Sequence, residues 1–167
     1  MRPPFHSAAL VFLLGVGLTL LAPQTAVAQN AFIGTWDLVL DSISGHIPGL
    51  PPAPELGIAA SGEQIITVKK GQIPLETYRL DGSETDLQGY RKGMLALTDT
   101  ELTLTTTRLR PGSDLVTIVT DHYRLAGNEL LVYRTLRVER PRGGLIDTPG
   151  GVVDTPQNRW EARYRHH

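Results

Sequence analysis

The sequence contains no cysteine. This absence excludes a disulfide framework, a thiolate metal site and a cysteine nucleophile, and it excludes a lipid anchor attached at an N-terminal cysteine. Aromatic residues are also few, at 6% of 167 residues, and neither sign of charge dominates, with 16 Lys and Arg against 17 Asp and Glu. A net charge of −1 does not favour nucleic acid as a partner, and the length fits one domain.

A long hydrophobic run occurs only near the N-terminus, between Ala8 and Ala22, after the charged residue Arg2. The small residues Ala26-Val27-Ala28 follow it. A positive start, a short apolar run and a small-residue cleavage site are typical of a secretory signal peptide. The run is shorter than the roughly 20 residues of a membrane-spanning helix. We therefore expect residues 1–28 to be removed, leaving a secreted or periplasmic domain, 29–167, without a transmembrane segment.

Beyond the signal peptide, hydrophobic residues recur with a period of two in short runs, which indicates strands. The runs are 33–42, 63–70, 73–80, 93–97, 100–109, 115–125, 129–139 and 158–166. Turn dipeptides such as Asp81-Gly82 and Gly127-Asn128 separate them and favour antiparallel neighbours. The pattern predicts an all-β fold, an antiparallel up-and-down barrel of about eight strands, with a two-sheet β-sandwich as the alternative.

Alternation within the runs also predicts which side chains share a face. The predicted apolar faces are Trp36, Leu38 and Leu40; Ile66 and Val68; Tyr78 and Leu80; Leu102 and Leu104; and Trp160, Ala162 and Tyr164. Two segments are too long for tight turns. Residues 44–62 are rich in proline, and residues 140–157 repeat the tripeptide Asp-Thr-Pro, so both are interpreted as loops.

The first predicted strand opens with Gly34-Thr35-Trp36, and a proline-rich loop, a strand pair with an Asp-Gly turn and Thr-rich strands follow. In this layout the chain resembles the small exported bacterial lipocalin-like (calycin-type) β-barrel proteins. The resemblance implies that Trp36 closes one end of a barrel. It also implies that a late-strand arginine stacks on this tryptophan, a cation–π contact for which Arg163 is the best candidate.

Arg134 is the most informative single residue, because strict alternation along 130–138 places it among Leu130, Val132, Leu136 and Val138. A buried guanidinium needs a partner. That partner is either a ligand carboxylate, an internal ion pair or, if a bulge shifts the register, solvent. The run 115–125 is ambiguous, because both of its faces carry polar groups; one face carries the titratable His122 and the other carries Asp121.

Together these features predict an exported, non-enzymatic protein that holds a small apolar or amphipathic molecule in a barrel cavity. The predicted ligand-binding residues are Trp36, Tyr78, His122, Arg134, Trp160 and Tyr164. Neither a nucleophile elbow nor a zinc-protease, EF-hand or P-loop motif is present, so we expect no catalytic residue, metal or cofactor. The alternative is a structural or interaction protein of the cell envelope, with a filled barrel and partner-binding loops.

Overall fold

The computed structural model describes residues 30–72, 75–109, 111–112, 115–139 and 158–167. The predicted signal peptide and the 140–157 loop lie outside the described residues. The described chain is built from antiparallel strands with tight connections. The strands are β1 (Gly34–Leu38), β2 (Ser44–His46), β3 (Glu55–Ser61), β4 (Gln64–Lys69), β5 (Glu76–Arg79), β6 (Thr85–Leu87), β7 (Arg91–Leu97), β8 (Glu101–Leu109), β9 (Val116–Ala126), β10 (Glu129–Glu139) and β11 (Arg159–His166).

All eleven strands belong to one sheet, which curls into a nearly closed up-and-down barrel. Ten of them follow one another around it, and β11 returns to pair with β1, so that Trp36 lies opposite His166. The short β2 pairs with β11 beside this path. Backbone pairing is interrupted only between β5 and β6, among the described strands. The predicted all-β up-and-down barrel is confirmed with ten strands around it, and a two-sheet sandwich is not formed.

The long strands follow the predicted alternation. Leu102 and Leu104 of β8 are buried, as are Trp160, Ala162 and Tyr164 of β11. β9 and β10 are joined by the two-residue turn Gly127-Asn128, with Gly127 at a φ of +63°, which glycine adopts without a steric penalty. These inward faces form a continuous hydrophobic core, completed by Trp36, Leu56, Ile58, Ile65, Tyr78, Leu95, Tyr123, Leu130 and Val132.

Part of the predicted proline-rich loop is a strand. β3, within the predicted loop 44–62, pairs with both β1 and β4 and buries Leu56 and Ile58. Its other residues are small or polar, among them Gly57, Ala59 and Ala60, so its hydrophobic signal is weak. The strand is held by backbone pairing on both sides, which hydrophobicity along the chain does not reveal.

Two predicted faces are wrong. In β4 the inward residues are Ile65 and Thr67, each 1% exposed, whereas Val68 is 46% exposed on the outer face. β1 ends at Leu38 and a 3-10 turn, Leu40–Ser42, follows, which leaves Leu40 exposed. In both places a run of apolar residues extends over both faces or beyond the strand end, so alternation alone does not set the register.

Trp36 closes one end of the barrel, but its neighbour is not the arginine that the resemblance implies. Its indole N–H donates to the Phe32 carbonyl at 3.1 Å, and its ring meets the His166 ring edge-on at 4.9 Å between centroids. A Cβ atom on Gly34 would collide with His166, so glycine permits this close approach. Arg163 points outward and pairs with Glu129, with Nη1 3.5 Å from Oε2.

Candidate functional site

The end of the barrel opposite Trp36 contains a cavity of about 300 Å³. The inward face of β9 leads into it, changing from Tyr123 in the core to Asp121, Val119 and Thr117. The charged and hydroxyl-bearing lining residues are Thr67, Lys69, Glu76, Arg91, Thr106, Arg108, Thr117, Asp121 and Arg134, and the larger apolar ones are Leu50, Pro51 and Val119. The barrel is therefore packed at one end and open inside at the other, where charged side chains are set among largely apolar surface.

Arg134 forms the best-defined contact of this cavity. The register of β9 and β10 places it directly opposite Asp121. Its Nε and Nη2 donate to the two carboxylate oxygens of Asp121, with Nη2 2.8 Å from Oδ2. The guanidinium carbon lies 5.2 Å from the ring centroid of Trp160. The cation–π contact of the barrel is therefore made inside by Arg134 and Trp160.

A second carboxylate, Glu76, continues the network across the interior. Arg91 donates to Glu76 Oε1, and the Tyr78 hydroxyl donates to Oε2 at 3.0 Å. Lys69 connects the two carboxylates, with Nζ 2.8 Å from Asp121 Oδ2 and 3.5 Å from Glu76 Oε2. The network thus extends without a break from β7 to β10.

The network keeps both carboxylates ionised. Burial alone raises the pKa of Asp121, but Arg134 and Lys69 outweigh it and hold that pKa below its ordinary value. Burial also raises the pKa of Glu76. Its neighbours Lys69, Tyr78 and Arg91 lower that pKa by more, so it too lies below its ordinary value. Burial and the neighbouring Glu76 raise the pKa of Tyr78. At neutral pH both carboxylates are therefore charged, and Tyr78 keeps its proton.

A smaller void of about 10 Å³ lies deeper, next to Trp160, Tyr164 and Tyr123. This volume is near the lower limit for one water molecule. The Tyr123 hydroxyl is buried and has no hydrogen-bond partner among the described residues. The Tyr164 hydroxyl donates to the Ala53 carbonyl at 2.9 Å. The void offers room for water but not for an organic ligand.

The six predicted ligand-binding residues do not form one site. Arg134 lines the cavity, and Tyr78 lies beneath it, where its hydroxyl binds Glu76 and Thr106. Trp160 and Tyr164 border the small void, which Arg134 also lines. Trp36 is part of the packed end and lines neither space, and His122 points outward from β9.

His122 contacts two polar side chains on the outer surface. Its Nδ1 lies 2.8 Å from Glu101 Oε1 and 3.2 Å from Thr103 Oγ1. A relay from nucleophile to base to acid uses the two opposite ring nitrogens of histidine, whereas both neighbours here approach the same one. This trio is therefore not arranged for hydroxyl activation.

Sequence reasoning missed most of the cavity lining, including Thr67, Lys69, Glu76, Arg91 and Arg108. Asp121 is the lining residue that the sequence could have identified, as the cross-strand neighbour of Arg134. A two-residue turn at Gly127-Asn128 pairs residues whose numbers add to a constant, and this places Asp121 opposite Arg134. The other lining residues come from strands whose mutual register depends on the closure of the barrel.

Within the described residues no helix is long and apolar enough to cross a membrane, and no three His, Asp or Glu side chains are grouped as metal ligands. Comparison with protein-family models, with curated proteins and with solved structures finds no match to this chain.

Proposed function

We propose that this protein is an exported, lipocalin-like binding protein that holds one small amphipathic molecule in the open end of its barrel, without covalent chemistry. The observation that supports this proposal most directly is the cavity of about 300 Å³, which is lined by charged side chains at its base. This volume is at the lower end of the range for small-molecule sites. Because the rest of the barrel is filled by side chains, the ligand is short.

The cavity lining supports an amphipathic ligand. Asp121, Glu76 and the cations around them form a polar floor, whereas Leu50, Pro51 and Val119 supply apolar surface. A ligand with one polar end and one apolar end satisfies both parts, since each buried polar group needs a partner and apolar surface gains from leaving water.

The electrostatics support binding rather than catalysis. General acid–base catalysis works best with a group whose pKa lies near the working pH. The two carboxylates have lowered pKa values and are held by neighbouring cations. Neither is suited to proton transfer at neutral pH.

Native mass spectrometry of the processed protein, isolated from an exporting host, tests the proposal. We expect an additional mass that disappears on denaturation. Val119→Trp places a large side chain in the cavity and should remove this mass. Ile118→Trp is the matched control, because the neighbouring Ile118 faces outward and the ligand should be retained. A bare polypeptide mass, together with no change in melting temperature in a panel of small amphiphiles, would instead indicate a filled structural barrel.

A further inference from the structure

We infer that the ligand carries an anionic group, a carboxylate or a phosphate monoester, and that Arg108 is the residue that binds it. This inference rests on the proposed function, because it assigns a chemical class to the ligand of the same cavity.

Arg108 lies on the inward face of β8 and lines the cavity. Its Nε is buried and has no hydrogen-bond partner in the described part of the chain. A buried guanidinium nitrogen without an acceptor is unfavourable, because that N–H has lost its hydrogen bond to water and gained none in exchange. An acceptor entering the cavity would relieve this deficit.

The two carboxylates of the cavity are already engaged elsewhere. Asp121 is bound by Arg134 and Lys69, and Glu76 is bound by Arg91 and Lys69. The lining thus contains four cationic side chains and two carboxylates, so positive charge is in excess. The excess is located at Arg108, the only lining cation that has no carboxylate partner among the described residues.

The strand register places a second guanidinium next to Arg108. Arg91 of β7 lies directly opposite it on the same inward face. Like charges at opposite positions of paired strands repel each other unless an anion lies between or beside them. Glu76 neutralises Arg91 from the β5 side. An anionic ligand would do the same for Arg108.

Thr67 gives an independent indication of a missing ligand group. It is 1% exposed, it lines the same cavity, and its Oγ1 has no hydrogen-bond partner among the described residues. A threonine hydroxyl can donate to an anionic oxygen. The cavity therefore presents a buried guanidinium nitrogen, Nε of the half-buried Arg108, and a buried hydroxyl, and neither has a hydrogen-bond partner among the described residues.

Other ligand classes fit less well. A cationic ligand would meet the excess positive charge and find both carboxylates occupied. A neutral ligand would leave the charge of Arg108 uncompensated. A carboxylate or a phosphate provides planar or multiple acceptors that match the donor fork of arginine.

Calorimetric titration of the processed chain with four eight-carbon amphiphiles tests the inference. Octanoate and octyl phosphate carry the two anionic groups, octanol is neutral, and octyltrimethylammonium is cationic. We expect at least one anion to bind about tenfold or more tightly than octanol, as one charge-assisted hydrogen bond provides. The comparison of octanoate with octyl phosphate identifies the anionic group.

Substitutions assign the effect to Arg108. Arg108→Gln should remove the preference, so that the anion binds this variant no more tightly than octanol does. Thr67→Val should weaken anion binding in the same selective manner. Arg124→Gln is the matched control, because Arg124 is exposed on the outer face of β9, and it should preserve the preference. Circular dichroism and the melting temperature show that each variant is folded.

The outcomes separate the two proposals. If none of the four amphiphiles binds the wild-type chain, the proposed function is overturned and the inference with it. If octanol or the cation binds as tightly as the anions, only the inference is overturned. Retention of the anion preference in folded Arg108→Gln also overturns it.

Discussion

Arg134 shows how a charged residue is accommodated on an apolar strand face. The residue is 4% exposed, and both oxygens of Asp121 and the face of Trp160 surround its guanidinium. A buried ion pair adds little net stability, because desolvation offsets the attraction, but removal of one partner leaves a charge without compensation. The two partners are not equivalent here, since Lys69 binds Asp121 as well.

This asymmetry predicts unequal effects of two substitutions. Asp121→Asn should lower the free energy of unfolding by about 3–5 kcal/mol, because it leaves Arg134 without a counter-charge and Lys69 with Glu76 alone. Arg134→Met should cost less, because Lys69 still neutralises the carboxylate, with Nζ 2.8 Å from Oδ2. Urea denaturation of both variants measures the difference. Lys70→Gln, which removes an exposed pair with Glu55, is the control and should change stability little. A larger loss for Arg134→Met would contradict the assigned role of Lys69.

The same carboxylates predict how stability depends on pH. The pKa values of Asp121 and Glu76 are lower in the folded chain than their ordinary values of 3.8 and 4.5. The unfolded chain therefore binds more protons in acid, and folding stability decreases as the pH falls below about 5. Above that pH the contribution is fully present. Denaturation curves from pH 7 to pH 3 should show this decrease, and it should be smaller in the double variant Asp121→Asn/Arg134→Met, which lacks one of the two groups. A stability independent of pH over this range would contradict the ionised network.

At the scale of elements, the inward face of a strand can be predicted from the sequence where apolar and polar residues alternate clearly along it. β8, β10 and β11 have one apolar and one polar face, and the inward residues Leu104, Val132 and Trp160 were predicted correctly. β9 carries polar groups on both faces, and the burial of Tyr123 and the contacts of Asp121 with other strands show which face is inward. β3 was missed for a related reason, because its place depends on pairing with β1 and β4. Contacts between segments that are distant in the sequence determine which side chains line the cavity. Most of the lining residues could therefore not be predicted from the sequence.

β5 and β7 approach each other across a glycine. A Cβ atom at Gly93 would lie 2.7 Å from Tyr78 Cε1 and 2.9 Å from Leu87 Cδ1, which is closer than such atoms pack. Gly93→Ala should therefore push the Tyr78 ring away and lower stability by about 1–3 kcal/mol, the usual effect of overpacking. The free energy of unfolding measures the loss.

Gly57→Ala is the matched control for this substitution. Gly57 also lies in a strand, and its new Cβ would find its nearest neighbour, Val68 Cβ, at 3.7 Å. Ordinary van der Waals contact should leave stability nearly unchanged. Equal losses in the two variants would mean that glycine is required for backbone reasons rather than for the approach of Tyr78.

At the scale of the whole molecule, the barrel has one weak place, which we call the seam, between β5 on one side and β6 and β7 on the other. Backbone pairing does not join β5 to β6. Side chains cross the seam instead: Glu76 binds Arg91, and the ring of Tyr78 packs against Gly93. By contrast, β9 and β10 are paired over their full length, from Val116 opposite Glu139 to Ala126 opposite Glu129. The cavity lies next to the seam, because Glu76 and Arg91 belong to both.

Amide hydrogen exchange should therefore proceed from the seam. Amides of β5 and β6 are expected to exchange first and those of β9 and β10 last, since opening the seam breaks few backbone hydrogen bonds. Glu76→Gln weakens the contact with Arg91 and should accelerate exchange in β5 and β6 while leaving the central part of β9 and β10 slow. Glu63→Gln, at an exposed turn, is the control and should not change this order. If β1 and β11 exchanged first, the barrel would open between its first and last strands. The cavity would then lie in the more rigid part of the barrel.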